Sequence, residues 1–135
     1  MLYVVAKNVV KDGFLDVPDH LHGAIMYSKK FKFFDPAHEG ILRALIRDLK
    51  GYSLSDISWG VITKTIIDDY KNEPVVYDPS EQIYYVSDRL RDYFHSSKYL
   101  SESERYYKRK NYRFDFDRMV REREKIIKKK NLADL

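Results

Sequence analysis

The chain has 135 residues, of which 44% are hydrophobic and 15% aromatic, with no cysteine and a formal net charge of +4. This length suits one domain that buries its own core, and the apolar content excludes a disordered chain. The absence of cysteine excludes disulfides and zinc sites with thiolate ligands.

The first 34 residues predict short strands and one short helix. Residues 2–10 are β-branched and aromatic, and a turn at Asp12-Gly13 leads to a second strand over 14–17, which together indicate a hairpin. A short helix follows at Leu21, and residues 31–33 alternate like a strand. The opening apolar run is too short for a signal peptide, and no stretch approaches the roughly 20 apolar residues that span a bilayer. We therefore expect a cytoplasmic (intracellular) protein without a membrane partner.

Two helical regions and a hairpin are predicted next. Asp35 followed by Pro36 is a strong helix start, and apolar residues at helical spacing predict a helix over 36–50. Ser53 starts a second helical region over 54–71, either as one helix or as two that meet at Gly60. The strand-turn-strand pattern that follows predicts a hairpin over 75–86. Ser87 or Asp88 then caps a short helix, and Ser96-Ser97 indicates a loop.

The remaining residues are basic. Residues 1–98 carry 13 Lys and Arg against 14 Asp and Glu, whereas residues 99–135 carry 12 against 7. We interpret 1–98 as a globular body and 99–135 as a basic, aromatic-rich arm that docks on it. Strict alternation over 111–116 predicts a strand, and the change to a helical period predicts a basic helix over 117–131. The expected fold class is therefore a small single α+β domain, about half helical.

The order of the predicted elements resembles a winged helix-turn-helix. Helix 36–50, region 54–71 and hairpin 75–86 would supply the helices and the wing. The charge of the second helix matters here, because residues 61–71 carry only Lys64 and Lys71 against two aspartates. The resemblance therefore implies either a nucleic-acid partner or a protein partner.

The arm carries the candidate binding residues. Aromatic rings can stack on unpaired bases while Arg and Lys neutralise phosphates, and both kinds of residue are interleaved there. The alternative is that the aromatic rings close the core and the charges form a solvated rim. The candidate residues are Arg105, Tyr106, Tyr107, Lys108, Arg109, Lys110, Tyr112, Arg113, Arg121 and Lys125.

Signals for catalysis are weak. His20 and His22 would share one face of a strand and could ligate a metal with Asp19 or Glu39, but no third ligand is specified. The sequence has no glycine-rich phosphate loop and no nucleophile motif, so we expect no cofactor. We predict a small non-enzymatic binding or regulatory protein, of viral or mobile-element origin, that engages nucleic acid or a nucleic-acid-handling protein through its basic C-terminal segment. The alternatives are a structural subunit or inhibitor that binds a protein through the C-terminal helix, and a metal-dependent nuclease.

Overall fold

The computed structural model describes residues 12–133, which form six helices and two antiparallel sheets. Helix accounts for about 54% and strand for about 15%, which confirms the α+β fold class. The helices are α1 (Leu21–Tyr27), α2 (Pro36–Asp48), α3 (Leu54–Ile62), α4 (Asp88–Phe94), α5 (Ser97–Arg109) and α6 (Phe116–Ala133). The strands are β1 (Gly13–Asp16), β2 (Lys32–Phe33), β3 (Ile66–Asp68), β4 (Glu73–Pro74), β5 (Gln82–Tyr85) and β6 (Tyr112–Phe114).

The helix starts follow local sequence signals. The Asp35 side chain accepts a hydrogen bond from the Ala37 amide at 2.8 Å, which caps α2 immediately before Pro36. Ser53, Ser87 and Ser96 accept backbone amides in the same way at the starts of α3, α4 and α5. These caps confirm the predicted starts of α2, α3 and α4. The cap at Ser96 shows that a helix, α5, begins where the sequence indicates a loop.

Each sheet has three strands, and the central strand pairs with both of the others. In the first sheet β5 lies between β1 and β2, with Leu15 opposite Ile83 and Phe33 opposite Gln82. In the second sheet β3 lies between β4 and β6, with Ile66 opposite Phe114. The main core fills the space between the sheets and helices, and its buried residues include Leu21, Phe33, Leu42, Leu45, Leu49, Ile57, Ile66 and Tyr112.

The first part of the basic arm is built into this core. Helix α5 packs along α2 more extensively than any other pair of elements within residues 12–133. Gly40 allows the close approach, because a Cβ there would lie 2.2 Å from the Ser103 carbonyl oxygen. Tyr99 and Ser103 of α5 are buried. Docking of this part of the arm therefore depends on a backbone-to-backbone contact.

The predicted helical region 54–71 is wrong in its second half. Helix α3 ends at Ile62, Lys64 adopts a φ of 60°, and residues 66–68 form the central strand β3. All three residues of β3 are buried between β4 and β6. Sheet pairing and burial of these β-branched residues override the helical period that Ile62 and Ile66 share with the rest of the region.

The predicted hairpin 75–86 is also wrong, and the winged-helix resemblance fails with it. Glu73 and Pro74 pair with β3, and the following residues to Glu81 form no strand. Strand β5 instead pairs with β1 and β2. The first apolar run, 75–77, therefore lies in neither sheet and the second is a strand of the first sheet, so no wing forms over 75–86.

The other predicted strands and helices within residues 12–133 are present in the structure. Strands over 14–17, 31–33 and 111–116 are confirmed as β1, β2 and β6, and the helix over 117–131 is confirmed as α6. Helix 36–50 is confirmed as α2, and Gly51 follows it with a φ of 97°. The predicted strand over 2–10 lies outside the described residues. The division of the chain at residue 98 stays a prediction.

Candidate nucleic-acid interface

The candidate residues lie in three places rather than on one continuous surface. The set from Arg105 to Arg109 lies on α5, Lys110 to Arg113 surround the start of β6, and Arg121 and Lys125 lie on α6. The candidate residues also differ in the contacts that their side chains make. Some side chains are buried, some are paired with carboxylates on the surface, and some have no partner in the described part of the chain.

Tyr107 is held between two arginines. The guanidinium groups of Arg43 and Arg47 each lie 4.7 Å from the centre of its ring. Arg47 also donates to the carbonyl oxygens of Tyr107 at 2.8 Å and Lys110 at 2.6 Å, which caps the C-terminal end of α5. Arg47 also donates to the Asp48 carboxylate, which accepts a further hydrogen bond from the Tyr112 amide. These contacts hold the pKa of Asp48 below its usual range. Tyr107 therefore fixes α5 to α2.

Lys110 forms a buried ion pair. Its Nζ lies 3.0 Å from Oδ2 of Asp68, and the two side chains are 10% and 11% exposed. Burial alone would raise the pKa of the Asp68 carboxyl, but the hydrogen bonds from Lys110 and from the amides of Lys71 and Tyr70 lower it below its usual range. Tyr112 is buried next to this pair, and burial raises its pKa. Lys110 and Tyr112 are therefore not available to a binding partner.

The exposed cations of α5 and β6 are mostly paired within the protein. Arg105 donates to Glu102 at 2.5 Å and lies over the Tyr106 ring at 5.1 Å. Arg113 pairs with Asp69. The remaining contacts are those of Lys108 with Glu104 at 3.8 Å and of Arg109 with the Tyr70 hydroxyl at 2.9 Å. Exposed pairs of this kind are weak, but they reduce the positive potential that the sequence suggests for this segment.

Helix α6 leaves the body of the protein after its second turn. Met119 is fully buried, and Arg123 forms an ion pair with Asp56 of α3 at 3.6 Å. From Glu124 to Asn131 every residue is exposed. The second half of α6 is thus not docked on its own domain.

Four basic residues follow one line along α6. Arg118, Arg121, Lys125 and Lys128 are spaced by three, four and three residues, so they share one side of the helix, opposite Met119 and Arg123. We call them the α6 basic stripe, and at 1.5 Å per residue it is about 15 Å long. Arg118 is anchored by Asp115 and by the Lys64 carbonyl oxygen at 3.1 Å.

The three members of the stripe that follow Arg118 are exposed. Lys125 lies 3.3 Å from Glu122, an exposed pair. Within residues 12–133, Arg121 and Lys128 have no carboxylate partner, and both are exposed. Arg118 and Lys128 are not among the residues that composition singles out. Their spacing relative to Arg121 and Lys125 is the signal in the sequence that could have found them.

The other side of the projecting helix is apolar. Ile126 and Ile127 are 41% and 43% exposed, and they continue the side on which Met119 and Val120 face the body. The helix is therefore amphipathic beyond the point where its own domain covers it.

The histidines do not form the predicted metal site. His20 and His22 lie at the start of α1 and not in a strand, with their rings stacked 5.3 Å apart. Glu39 is buried and accepts the Phe33 amide at 3.0 Å, and burial raises its pKa. In the part of the chain that the structure describes, no three His, Cys, Asp or Glu residues are grouped so that they could hold a metal ion.

Comparison of the chain with protein-family models, with curated proteins and with solved structures found no match. Among residues 12–133 no helix combines the length and the apolar character needed to cross a membrane.

Proposed function

We propose that the protein is a non-enzymatic binding protein that engages nucleic acid through the α6 basic stripe. The observation that carries this proposal is that the second half of α6 projects from the body and presents cations that no carboxylate of the described chain neutralises. Lys128 is exposed there and is followed by the exposed Lys129 and Lys130, while Arg121 is exposed in the first half of the helix. Elsewhere in the arm the cations are buried or paired.

The dimensions of the stripe suit a phosphate backbone. Measured along the axis of a duplex, at 3.4 Å per phosphate of one strand, its length of about 15 Å corresponds to roughly four phosphates. Four cations that contact phosphates predict a slope near −3.6 for log K against log salt on a duplex, and near −2.8 on a single strand. Duplex affinity should therefore fall about 100-fold between 50 and 200 mM salt.

Fluorescence anisotropy of labelled oligonucleotides at several salt concentrations tests this proposal. The variant Arg121→Gln/Lys125→Gln/Lys128→Gln keeps residues that favour helix and should reduce the salt slope to about −1. The matched control removes three exposed lysines from other parts of the chain and lowers the net charge equally. Its substitutions are Lys50→Gln, Lys71→Gln and Lys98→Gln.

Two results would contradict the proposal. One is the absence of oligonucleotide binding at low salt. The other is an equal loss of affinity in the stripe variant and the control, because it would show that only the net charge matters.

The exposed apolar side of α6 favours a second function, binding of a protein partner. Ile126 and Ile127 would insert into a groove, and the lysines around them require that groove to be acidic. Such a complex should resist salt and should be lost in Ile126→Gln/Ile127→Gln. Oligonucleotide binding should be unchanged in the same variant, which separates the two functions.

A further inference from the structure

A pair of aromatic residues is exposed on the first sheet, away from α6. Phe14 of β1 and Tyr84 of β5 are directly opposite each other in the register, so their side chains share one face. Their ring centres are 6.0 Å apart, and the residues are 38% and 37% exposed. The ring planes are inclined by 44° to each other, and each ring is partly open to solvent.

The Tyr84 ring packs against other aromatic rings of the chain. Phe31 is buried, and its ring lies 5.8 Å from Tyr84 and 5.9 Å from Tyr27. The four rings form a row of which Phe14 and Tyr84 are the exposed members. Packing against Phe31 restrains the Tyr84 ring, so stacking on its outer side costs little additional side-chain entropy.

Three lysines border the same surface. Lys29 and Lys30 follow the end of α1, and Lys32 lies on β2 beside β5. Together with Ser28, Tyr84 and Tyr85 they line an open cavity of about 420 Å³. Lys32 interacts electrostatically with the carboxylate of Glu39, whereas Lys29 and Lys30 have no carboxylate partner within residues 12–133. The positive charge that remains available beside the rings is therefore that of Lys29 and Lys30.

We propose that Phe14, Tyr84, Lys29 and Lys30 form a binding surface for single-stranded nucleic acid. Unpaired bases stack on the two rings, and the lysines contact the phosphates between them. In a duplex the base faces are already stacked on each other, so the rings have no access to them. The proposal shares its ligand with the proposed function of α6, but it rests on different residues and adds a preference for single strands.

The experiment compares a labelled oligothymidylate with a duplex of the same length by anisotropy. Tyr84→Leu removes the aromatic face and should weaken binding of the single strand about tenfold, within the range for loss of one base stack. Tyr84→Phe keeps the ring and should bind within about twofold of the wild type. Duplex affinity should be the same in all three proteins.

The lysines are tested by a pair of variants of equal charge. Lys29→Gln/Lys30→Gln should weaken single-strand binding and reduce the salt slope by about 1.4. Lys50→Gln/Lys98→Gln changes two exposed lysines outside the surface and should have a smaller effect.

The Arg121→Gln/Lys125→Gln/Lys128→Gln variant separates this inference from the proposed function. Weaker single-strand binding in both this variant and Tyr84→Leu supports both proposals. Weaker single-strand binding in Tyr84→Leu alone supports the inference, and the role of α6 is overturned if duplex binding of the α6 variant is also unchanged. Loss in the α6 variant alone overturns the inference and leaves the proposed function intact. If the wild type binds neither probe, both are overturned.

Discussion

Substitution of glycines by alanine tests the packing of α5 on α2. A Cβ added at Gly40 would lie 2.2 Å from the Ser103 carbonyl oxygen and 2.8 Å from Tyr106 Cβ. Because the first of these is a backbone atom, α5 must move by roughly 1 Å to restore an ordinary contact. Overpacking of this kind costs about 1–3 kcal/mol or more, and the helix preference of alanine returns about 1 kcal/mol. We expect Gly40→Ala to reduce the free energy of unfolding by about 2 kcal/mol.

Two other helical glycines give matched comparisons. Gly23 has only Pro18 Cβ nearby, at 3.6 Å, so Gly23→Ala should stabilise the protein by about 0.5–1 kcal/mol. At Gly60 the close atoms are the ends of the Ile66 and Phe114 side chains, at 2.7–2.8 Å. These ends can shift, so Gly60→Ala should fall between the other two. Urea unfolding measures all three variants. If Gly40→Ala were as stable as Gly23→Ala, the close contact of α2 with α5 would be refuted.

Three further predictions concern the buried pair and α6. Lys110→Met leaves the Asp68 carboxylate buried without its cation and should reduce the free energy of unfolding by about 3 kcal/mol. The control Lys108→Met, at an exposed site, should change the free energy of unfolding by less than about 0.5 kcal/mol. Urea unfolding measures both variants. Because the pKa of Asp68 is lowered in the folded protein, its contribution to stability is complete above its unfolded pKa of about 3.9 and is lost as the pH falls through the folded pKa. Urea unfolding between pH 5 and pH 2 should therefore show a smaller loss of stability in Asp68→Asn than in the wild type. Truncation after Arg123 removes the exposed residues 124–131 together with the end of the chain. It should leave the unfolding midpoint nearly unchanged by circular dichroism, while oligonucleotide binding weakens.

Local signals account for the parts of the fold that sequence could predict. Helix α2 starts at Asp35 and Pro36 because a side-chain cap and a fixed φ act within a few residues. Residues 66–68 could not be assigned in this way, since Ile66 and Ile67 suit either a helix face or a strand. Their pairing with Phe114 and Arg113, nearly fifty residues away, decides the outcome. Strand β5 likewise depends on β1, which is far from it in the chain.

The candidate site shows the same division between local and distant contacts. Composition locates an excess of positive charge in the arm, but it does not show which cations are already neutralised. Lys110 pairs with Asp68 and Arg113 with Asp69, each more than forty residues away, and neither pairing leaves a trace in the spacing of the arm. On α6 the neighbours of a side chain are three or four residues away, so the helical period itself reveals the line from Arg118 to Lys128. The positive charge of the arm is therefore available to a partner mainly where the chain continues as a helix beyond its own core.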